Sequence, residues 1–240
     1  MKQLRKLLCT FLVMVMLVSL VNVPFFYATE SIVQAATVVG GRISQYLAWS
    51  LNLDTGEFKL SGFNHSPSFT DPKNAPWYKF KDKIKVIYID FGVNYLGDYL
   101  FGGVENVEEI HIPCTAECTP TAFCDLKRVG TIHIEKGKDY DMIQQSNHAY
   151  TPWGKKSVNH VIVENGVQSI PSNAFAKCSG IKKITLCDSV ERVGEYAFQE
   201  CTSLKEMSVP CSINMGGGLS SLGMFTNTPV FEKVTITKGK

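Results

Sequence analysis

The sequence lacks a net charge of either sign once its first 35 residues are set aside. The 240-residue chain holds 24 basic and 22 acidic residues, and removing Lys2, Arg5, Lys6 and Glu30 leaves 21 of each. A protein that attracts nucleic acid or an anionic membrane presents an excess of positive charge on one surface. The sequence therefore indicates neither class of partner.

The sequence also lacks the motifs of common catalytic sites. Gly216, Gly217 and Gly218 do not follow a strand and open a helix, as a phosphate-binding loop would require. His111 and Cys114 are close in sequence, but nothing indicates the third group or the oxyanion site that a cysteine nucleophile needs. We expect no enzymatic activity. A cysteine-dependent hydrolase around residues 114–124 is the least favoured alternative.

Residues 1–35 have the pattern of a secretory signal peptide. Basic residues precede an apolar stretch from Leu7 to Leu20, and Val33-Gln34-Ala35 supplies a cleavage site. The alternative is a retained membrane anchor, because the apolar run to Tyr27 could almost span a bilayer. Asn22 and Pro24 favour cleavage. We therefore expect a secreted or cell-surface protein without membrane insertion after cleavage.

What the sequence does contain is an internal repeat. The stretches NAFAKCSGIKKITL and YAFQECTSLKEMSV share A-F-x-x-C-x-x-[IL]-x-x-[IM]-x-[LV] at an offset of 23 residues. With the Phe of A-F as position zero, apolar residues recur at +6, +9 and +11 along the chain. The same spacing predicts about seven units, with zero positions at Tyr78, Phe101, Phe123, Pro152, Phe175, Phe198 and Phe225.

The spacing predicts the architecture of each unit. Apolar residues at +9 and +11 alternate with polar ones, which is typical of a strand with one buried face. One unit cannot bury that face alone, so units must stack and form a parallel sheet. We expect a helical turn or short helix at each A-F motif. A second apolar pair lies at −8 and −5, as in Val93/Leu96, Val167/Ile170 and Val190/Val193.

These residues resemble the BspA-type, or Treponema-type, leucine-rich repeat, whose consensus is similar to V-x-x-I-x-x-x-A-F-x-x-C-x-x-L-x-x-I-x-I-P. VQSIPSNAFAKCSGIKKITL and VERVGEYAFQECTSLKEMSVP match it almost throughout. YLAWSLNLDTGEFKLSG followed by APWYKF resembles the N-terminal cap of such proteins. The resemblance implies a β-rich α/β solenoid: a right-handed array with one parallel sheet of short strands and an N-terminal β-hairpin cap.

We divide the chain into three parts. The signal peptide spans residues 1–35, and the hairpin cap with its loop spans 36–77. In the cap, Asp54-Thr55-Gly56 supplies the turn, and apolar residues alternate on both strands. The repeats span 78–240, with an insertion near 136–156. Insertions in solenoids often bind partners.

The exposed face of the predicted sheet is the candidate binding site. Position +10 lies between the two buried strand positions and points away from the core. It is occupied by Tyr88, His111, His133, Ile162, Thr185, Ser208 and Thr235. The alternative is that these residues are solvated strand positions without a partner.

His111 and His133 occupy this position in adjacent units and are expected to be neighbours. With Glu109 or Glu135 they could hold zinc. Two surface histidines on adjacent strands are more often a coincidence of composition, so we expect no metal and no cofactor.

Seven cysteines follow the signal peptide. Cys178 and Cys201 occupy the +3 position of their repeats and are expected to pack as small apolar residues. Cys114, Cys118 and Cys124 lie in an irregular unit. They are expected either to include one disulfide or to be a mixture of buried and exposed thiols.

The resemblance implies a non-catalytic interaction module that binds an extracellular or surface partner, either a host or microbial protein or a glycan, in the manner of an adhesin. The alternative is a structural or assembly module of the cell envelope. Composition and spacing do not choose between them, because one fold hosts many functions.

Overall fold

The computed structural model describes residues 37–137, 152–154, 157–213 and 223–238. Two short 3-10 helices span Pro72–Asn74 and Tyr78–Lys83. The described residues otherwise form turns, loops and strands. The strands are β1 (Val38–Arg42), β2 (Leu47–Asn52), β3 (Glu57–His65), β4 (Val86–Ile89), β5 (Gly92–Leu96), β6 (Asn106–Pro113), β7 (Glu117–Cys118), β8 (Arg128–Glu135), β9 (Ser157–Val163), β10 (Ser169–Ile170), β11 (Lys183–Leu186), β12 (Arg192–Val193), β13 (Glu206–Pro210) and β14 (Lys233–Thr237).

One large sheet carries a strand from each repeat. Its order is β1-β2-β3-β4-β6-β8-β9-β11-β13-β14, and every pairing from β3 onward is parallel. Each strand pairs with the next in the register that the repeat predicts, so the +9 residues form a single row. That row is Ile87, Ile110, Ile132, Val161, Ile184, Met207 and Val234. All but the last are buried. The stacked solenoid is therefore confirmed.

The N-terminal cap has one strand more than predicted. β2 and β3 form the expected antiparallel hairpin, whose turn contains Gly56 at φ 80°. β1 pairs antiparallel with the outer edge of β2. The sequence of β1, VVGGR, shows no clear alternation. Its place depends on backbone pairing with β2, because most of its side chains are exposed.

A second line of short strands runs beside the main sheet. β5, β7, β10 and β12 each contain the −5 residue of their unit, and β5 also contains the −8 residue Val93. β5 pairs with β3 and β7, and β10 pairs with β12, all in parallel. β3 serves both lines of strands and changes direction at Gly62, where φ is 127°. A Cβ at Gly62 would lie 2.0 Å from the Tyr46 carbonyl oxygen, so a larger residue cannot occupy this bend without shifting the backbone.

The zero positions form a column of stacked rings inside the core. Phe175 and Phe198 lie 5.6 Å apart at 11°, and Phe198 and Phe225 lie 5.5 Å apart at 12°. The units whose predicted zero positions are Tyr78 and Pro152 depart from the prediction. Trp77 and Trp153, instead of Tyr78 and Pro152, supply the buried rings, with 1% and 2% exposure. A tryptophan one position away reaches the same space because its ring is larger.

The A-F segments differ from the predicted helical turns. Outside the 3-10 helix at Tyr78–Lys83, the described segments are successive turns with hydrogen bonds from residue i+3 to residue i. Left-handed residues interrupt them at two recurring positions, −2 and +2. Examples are Asn173 and Lys177 around Phe175, and Tyr196 and Glu200 around Phe198. A continuous helix cannot form across such residues, because they leave the right-handed region.

Several predictions concern residues outside the described ranges. The signal peptide, most of the 136–156 insertion and the Gly216–Gly218 stretch belong to this group. Within the described part of the chain, no helix is long and apolar enough to cross a membrane.

Candidate functional site

The structure brings all seven predicted ladder residues into one row on the exposed sheet face. Strand pairing places each +10 residue opposite the next, and every member is at least partly exposed. Alternation along the strand explains this, because the +9 and +11 side chains point into the core. The ladder is therefore a surface held by rigid strands. Its use in binding remains a prediction.

The N-terminal half of the ladder is a stack of rings. Tyr88 and His111 lie 4.3 Å apart at 23°, and His111 and His133 lie 4.3 Å apart at 3°. Lys59 of β3 places its ammonium 5.5 Å from the centre of the Tyr88 ring. Parallel pairing produces this stack, since it sets equivalent side chains directly beside each other. The result is a row of planar side chains in which each ring restricts the rotamers of its neighbours.

Three glutamates surround the two histidines. His111 Nδ1 lies 2.7 Å from Glu135 Oε1, and His133 Nδ1 lies 2.7 Å from Glu164 Oε1. Glu109 Oε2 lies on the other side, 3.3 Å from His111 Nε2 and 4.0 Å from His133 Nε2. Both rings are largely shielded, with exposed side-chain fractions of 14% and 17%. This arrangement is the most acidic part of the ladder.

The surroundings shift two histidine pKa values in opposite directions. Burial acts to lower the pKa of His111, but hydrogen bonds to Glu135 and Glu109 outweigh it and raise the pKa above the ordinary value. Burial and the positive charge of Lys183 lower the pKa of His160 to about 4. The Nε2 of His160 instead lies 2.7 Å from the hydroxyl of Thr185. The face therefore carries charge near β6 and a neutral imidazole on β9.

A depression of about 290 Å³ adjoins the Tyr88 end of the ladder. Its lining includes Lys59, Tyr88, Phe91, Asp90 and Glu135. Phe91 is 67% exposed, so its ring forms an open apolar side of this depression. An aromatic wall beside charged groups is an arrangement that can hold a partner's side chain or a sugar ring.

The cysteines do not have the surroundings of nucleophiles. All seven are thiols, and Cys178 and Cys201 are fully buried in the column, as predicted. Burial raises the pKa of Cys118 to about 12 and also raises the pKa of Cys124, whereas a nucleophilic thiol needs a lowered pKa. Cys114 is buried, and the His111 ring contacts Glu135 and Glu109 on the exposed face. The hydrolase hypothesis has no support from these contacts.

Sequence analysis missed one residue of the site, Lys59, and one contact, that of Glu164 with His133. Lys59 pairs opposite Tyr88 and extends the ladder onto the cap. The alternation of Phe58 and Leu60 could have indicated its exposure, but not its register with the repeats. Glu164 flanks the predicted ladder, and only the fold shows that it holds His133 from 31 residues away.

The columns of stacked residues and the parallel sheet define a leucine-rich-repeat solenoid, an architecture that offers an extended surface to partners. The chain belongs to the family described as "BspA type Leucine rich repeat region", whose model matches six copies over residues 73–148 and 150–239. No curated protein matches the chain.

Among solved structures, the chain is similar to a leucine-rich repeat protein from Eubacterium ventriosum, with 15% identity, 74% of this chain and 68% of that one covered, and a TM-score of 0.38. It is also similar to the pneumococcal vaccine antigen PcpA, with 12% identity, coverage of 84% and 50%, and a TM-score of 0.41. The chain spans half the length of that antigen. A Treponema pallidum leucine-rich repeat protein matches with 15% identity, coverage of 82% and 86%, and a TM-score of 0.30.

Proposed function

We propose that this protein is a non-catalytic, exported interaction module that binds an extracellular protein or glycan through the exposed face of its sheet. One observation carries the proposal: the ladder forms an uninterrupted row whose N-terminal half is a stack of Tyr88, His111 and His133. Membership in a leucine-rich-repeat family supports interaction as the general role. An adhesin-like role at the cell surface is the specific form proposed here.

The physical argument concerns the cost of binding. Ordering mobile side chains at an interface costs about 0.5–1.5 kcal/mol each. The stacked rings on β4, β6 and β8 are already restricted by their neighbours, so a partner need not order them. Tyr88 and the exposed Phe91 provide apolar area, and the surrounding glutamates and Lys59 provide polar contacts. Such a mixture is typical of protein interfaces.

Export is proposed from the first 35 residues, whose basic start, apolar stretch and Val33-Gln34-Ala35 site are typical of a signal peptide. Balanced charge in the remainder favours a partner that is neither nucleic acid nor a membrane surface.

Binding of the purified protein to an array of extracellular-matrix proteins, bacterial surface proteins and glycans tests the proposal. The variant carries Tyr88→Ala, His111→Ala and His133→Ala. We expect at least one partner to bind the native protein and to lose about tenfold or more in affinity to the variant, because truncation of central interface residues commonly costs about 1 kcal/mol or more each. Circular dichroism must show that the variant is folded.

A matched control carries three truncations away from the ladder: Lys127→Ala, Glu191→Ala and Tyr196→Ala. Tyr196 is 42% exposed, so Tyr196→Ala truncates a tyrosine side chain as Tyr88→Ala does, but at a position outside the ladder. The control should bind as the native protein does. Equal loss in both variants, or a partner retained by the ladder variant, would contradict the proposed site.

A second candidate function is assembly, and β14 supports it. Val234 and Ile236 are 54% and 68% exposed, and in the described chain β14 pairs on one edge with β13. An exposed strand edge with apolar side chains is a template for pairing with another strand. Sedimentation velocity over a concentration series separates the candidates. Self-association that Val234→Lys abolishes favours assembly, and a monomer throughout excludes it.

A further inference from the structure

Three potential metal ligands converge on the exposed face of β6 and β8. They are one carboxylate oxygen of Glu109 and one ring nitrogen each of His111 and His133, and all three atoms lie within 4.8 Å of one another. Glu109 and His111 are alternate residues of one strand, and His133 is the register partner of His111. The parallel ladder therefore sets the cluster in place without a flexible loop.

Both imidazoles are oriented by a second carboxylate. Glu135 and Glu164 lie 2.7 Å from the Nδ1 atoms of His111 and His133, respectively. When the rings are neutral and protonated at Nδ1, each carboxylate accepts the Nδ1–H, and each Nε2 atom carries a lone pair on the side of Glu109. Metal-binding histidines commonly donate their other N–H to a carboxylate in this way, which selects the tautomer and makes the ligating nitrogen more basic.

The cluster has an excess of negative charge. Three glutamates surround two imidazoles, so the group carries a charge of about −3 when both rings are neutral. Glu109 Oε2 and the two Nε2 atoms then present lone pairs to one another at 3.3 Å and 4.0 Å. A proton on one imidazole relieves only one of these two contacts, whereas a divalent cation between the three atoms relieves both.

We propose that Glu109, His111 and His133 bind a zinc ion, with Glu135 and Glu164 orienting the two histidines. Zinc–nitrogen distances of 2.0–2.1 Å place tetrahedral ligand atoms about 3.3 Å apart. The Glu109–His111 separation already has this value. The His133 nitrogen must approach Glu109 by about 0.7 Å. The two rings stack at 3°, so their lone pairs lie in parallel planes, and the rings must also tilt toward each other for both lone pairs to meet at one metal ion.

The ligand set selects the class of metal. Two imidazoles and one carboxylate suit zinc and other late transition metals, whereas magnesium and calcium prefer oxygen ligands alone. Three protein ligands leave the fourth tetrahedral position open to solvent, where water or a donor from another molecule can bind. The proposal reverses the expectation of no metal, because the sequence could not show that two further glutamates orient the rings.

Zinc titration of the purified protein by calorimetry at pH 7.5 tests the site. Cys211 is exposed, so all variants carry Cys211→Ser to remove a competing thiol. We expect one zinc per chain. His111→Gln or His133→Gln should weaken binding by about 100-fold or more, and Glu164→Gln by about 10–100-fold, because that glutamate only orients a ligand.

His160→Gln is the matched control. His160 lies on the neighbouring strand of the same face, but its Nε2 contacts the Thr185 hydroxyl. Zinc affinity should be unchanged in this variant and in the presence of excess magnesium or calcium. Zinc binding that survives both His111→Gln and His133→Gln, or no zinc binding to the native site, overturns the proposal.

A second measurement uses the protein with its ladder residues unchanged, so it tests the proposal even if the histidine variants fail to fold. Nitrogen-15 NMR of the imidazoles should show zinc-dependent shifts at the Nε2 atoms of His111 and His133, with the Nδ1 atoms remaining protonated. Shifts confined to His160 or His65, or no imidazole shifts at a saturating zinc concentration, also overturn the proposal.

Discussion

Replacing Phe198 by alanine tests whether the column of stacked rings carries the stability of the repeats. The Phe198 side chain is fully buried. It stacks on Phe175 on one side, at 5.6 Å, and on Phe225 on the other, at 5.5 Å. The substitution therefore removes the middle ring of a stack of three, to which three consecutive units contribute one ring each, and leaves a cavity between the two outer rings.

The expected loss is about 4 kcal/mol in the free energy of unfolding. Truncation of a buried phenylalanine to alanine typically costs about 3–5 kcal/mol through lost transfer energy and the remaining cavity. Stacked aromatic pairs contribute about 0.5–1.5 kcal/mol beyond their buried area, and this variant loses two such pairs. We therefore expect the loss in unfolding free energy to lie in the middle or upper part of the range of about 3–5 kcal/mol.

Urea denaturation followed by circular dichroism measures the total loss, and hydrogen exchange measures where it occurs. Repeat units contact mainly their neighbours, so the damage should be local. Amides of β13 and β14 should lose most of their protection, whereas those of β4 and β6 should keep theirs.

Phe225→Ala is the matched comparison. Phe225 is only partly buried and stacks on Phe198 on one side. We expect a cost of about 1–2 kcal/mol, because less apolar area returns to water. If Phe198→Ala costs less than 1 kcal/mol, or if protection falls equally across the sheet, the column is not the main source of local stability.

Three further predictions concern the backbone, pH dependence and thiol accessibility. Lys177 lies at φ 62°, a costly region for residues with a Cβ. Lys177→Gly should stabilise the protein by about 0.5–1 kcal/mol in urea denaturation, whereas Lys177→Ala should not; no difference between them would contradict the argument. Burial and the charge of Lys183 lower the pKa of His160 to about 4, so below pH 6.5 the unfolded chain binds a proton that the folded chain does not. Stability should therefore fall between pH 6.5 and pH 4 by about 1–2 kcal/mol after allowance for solvent screening. The difference between native protein and His160→Gln should report this loss, and a pH-independent difference would refute it. Iodoacetamide should alkylate the exposed Cys211 rapidly and Cys201, whose pKa burial raises to about 12, only after denaturation, as mass spectrometry of the peptides can show.

The regular repeats could be predicted because their spacing reports burial directly. Residues at +9 and +11 are apolar in unit after unit, and stacking is the one arrangement that buries all of them. The same alternation predicts which residues lie on the exposed face. Tyr88, His111 and His133 could therefore be placed together before their contacts were known, although 23 or 22 residues separate each pair.

The irregular parts required the fold. The rings of Trp77 and Trp153 enter the column from one position away, because a large ring reaches a space that the spacing assigns to a neighbour. Lys177 and Glu200 adopt left-handed backbone conformations, although neither is glycine, the residue type from which a sequence predicts such a conformation. Their conformation follows from the closure of each coil onto the next, and not from local preference.

The sequence by itself determined the repeat, the parallel register and the row of exposed residues, because these follow from periodic burial along one chain. Only the tertiary structure decided how side chains from separate units meet. Lys59 lies over Tyr88, and Glu164 holds His133, because parallel pairing brings residues about 30 positions apart to adjacent strands. Hydrogen bonds depend on side-chain direction as well as position, and that direction is set by neighbours that periodicity alone does not specify.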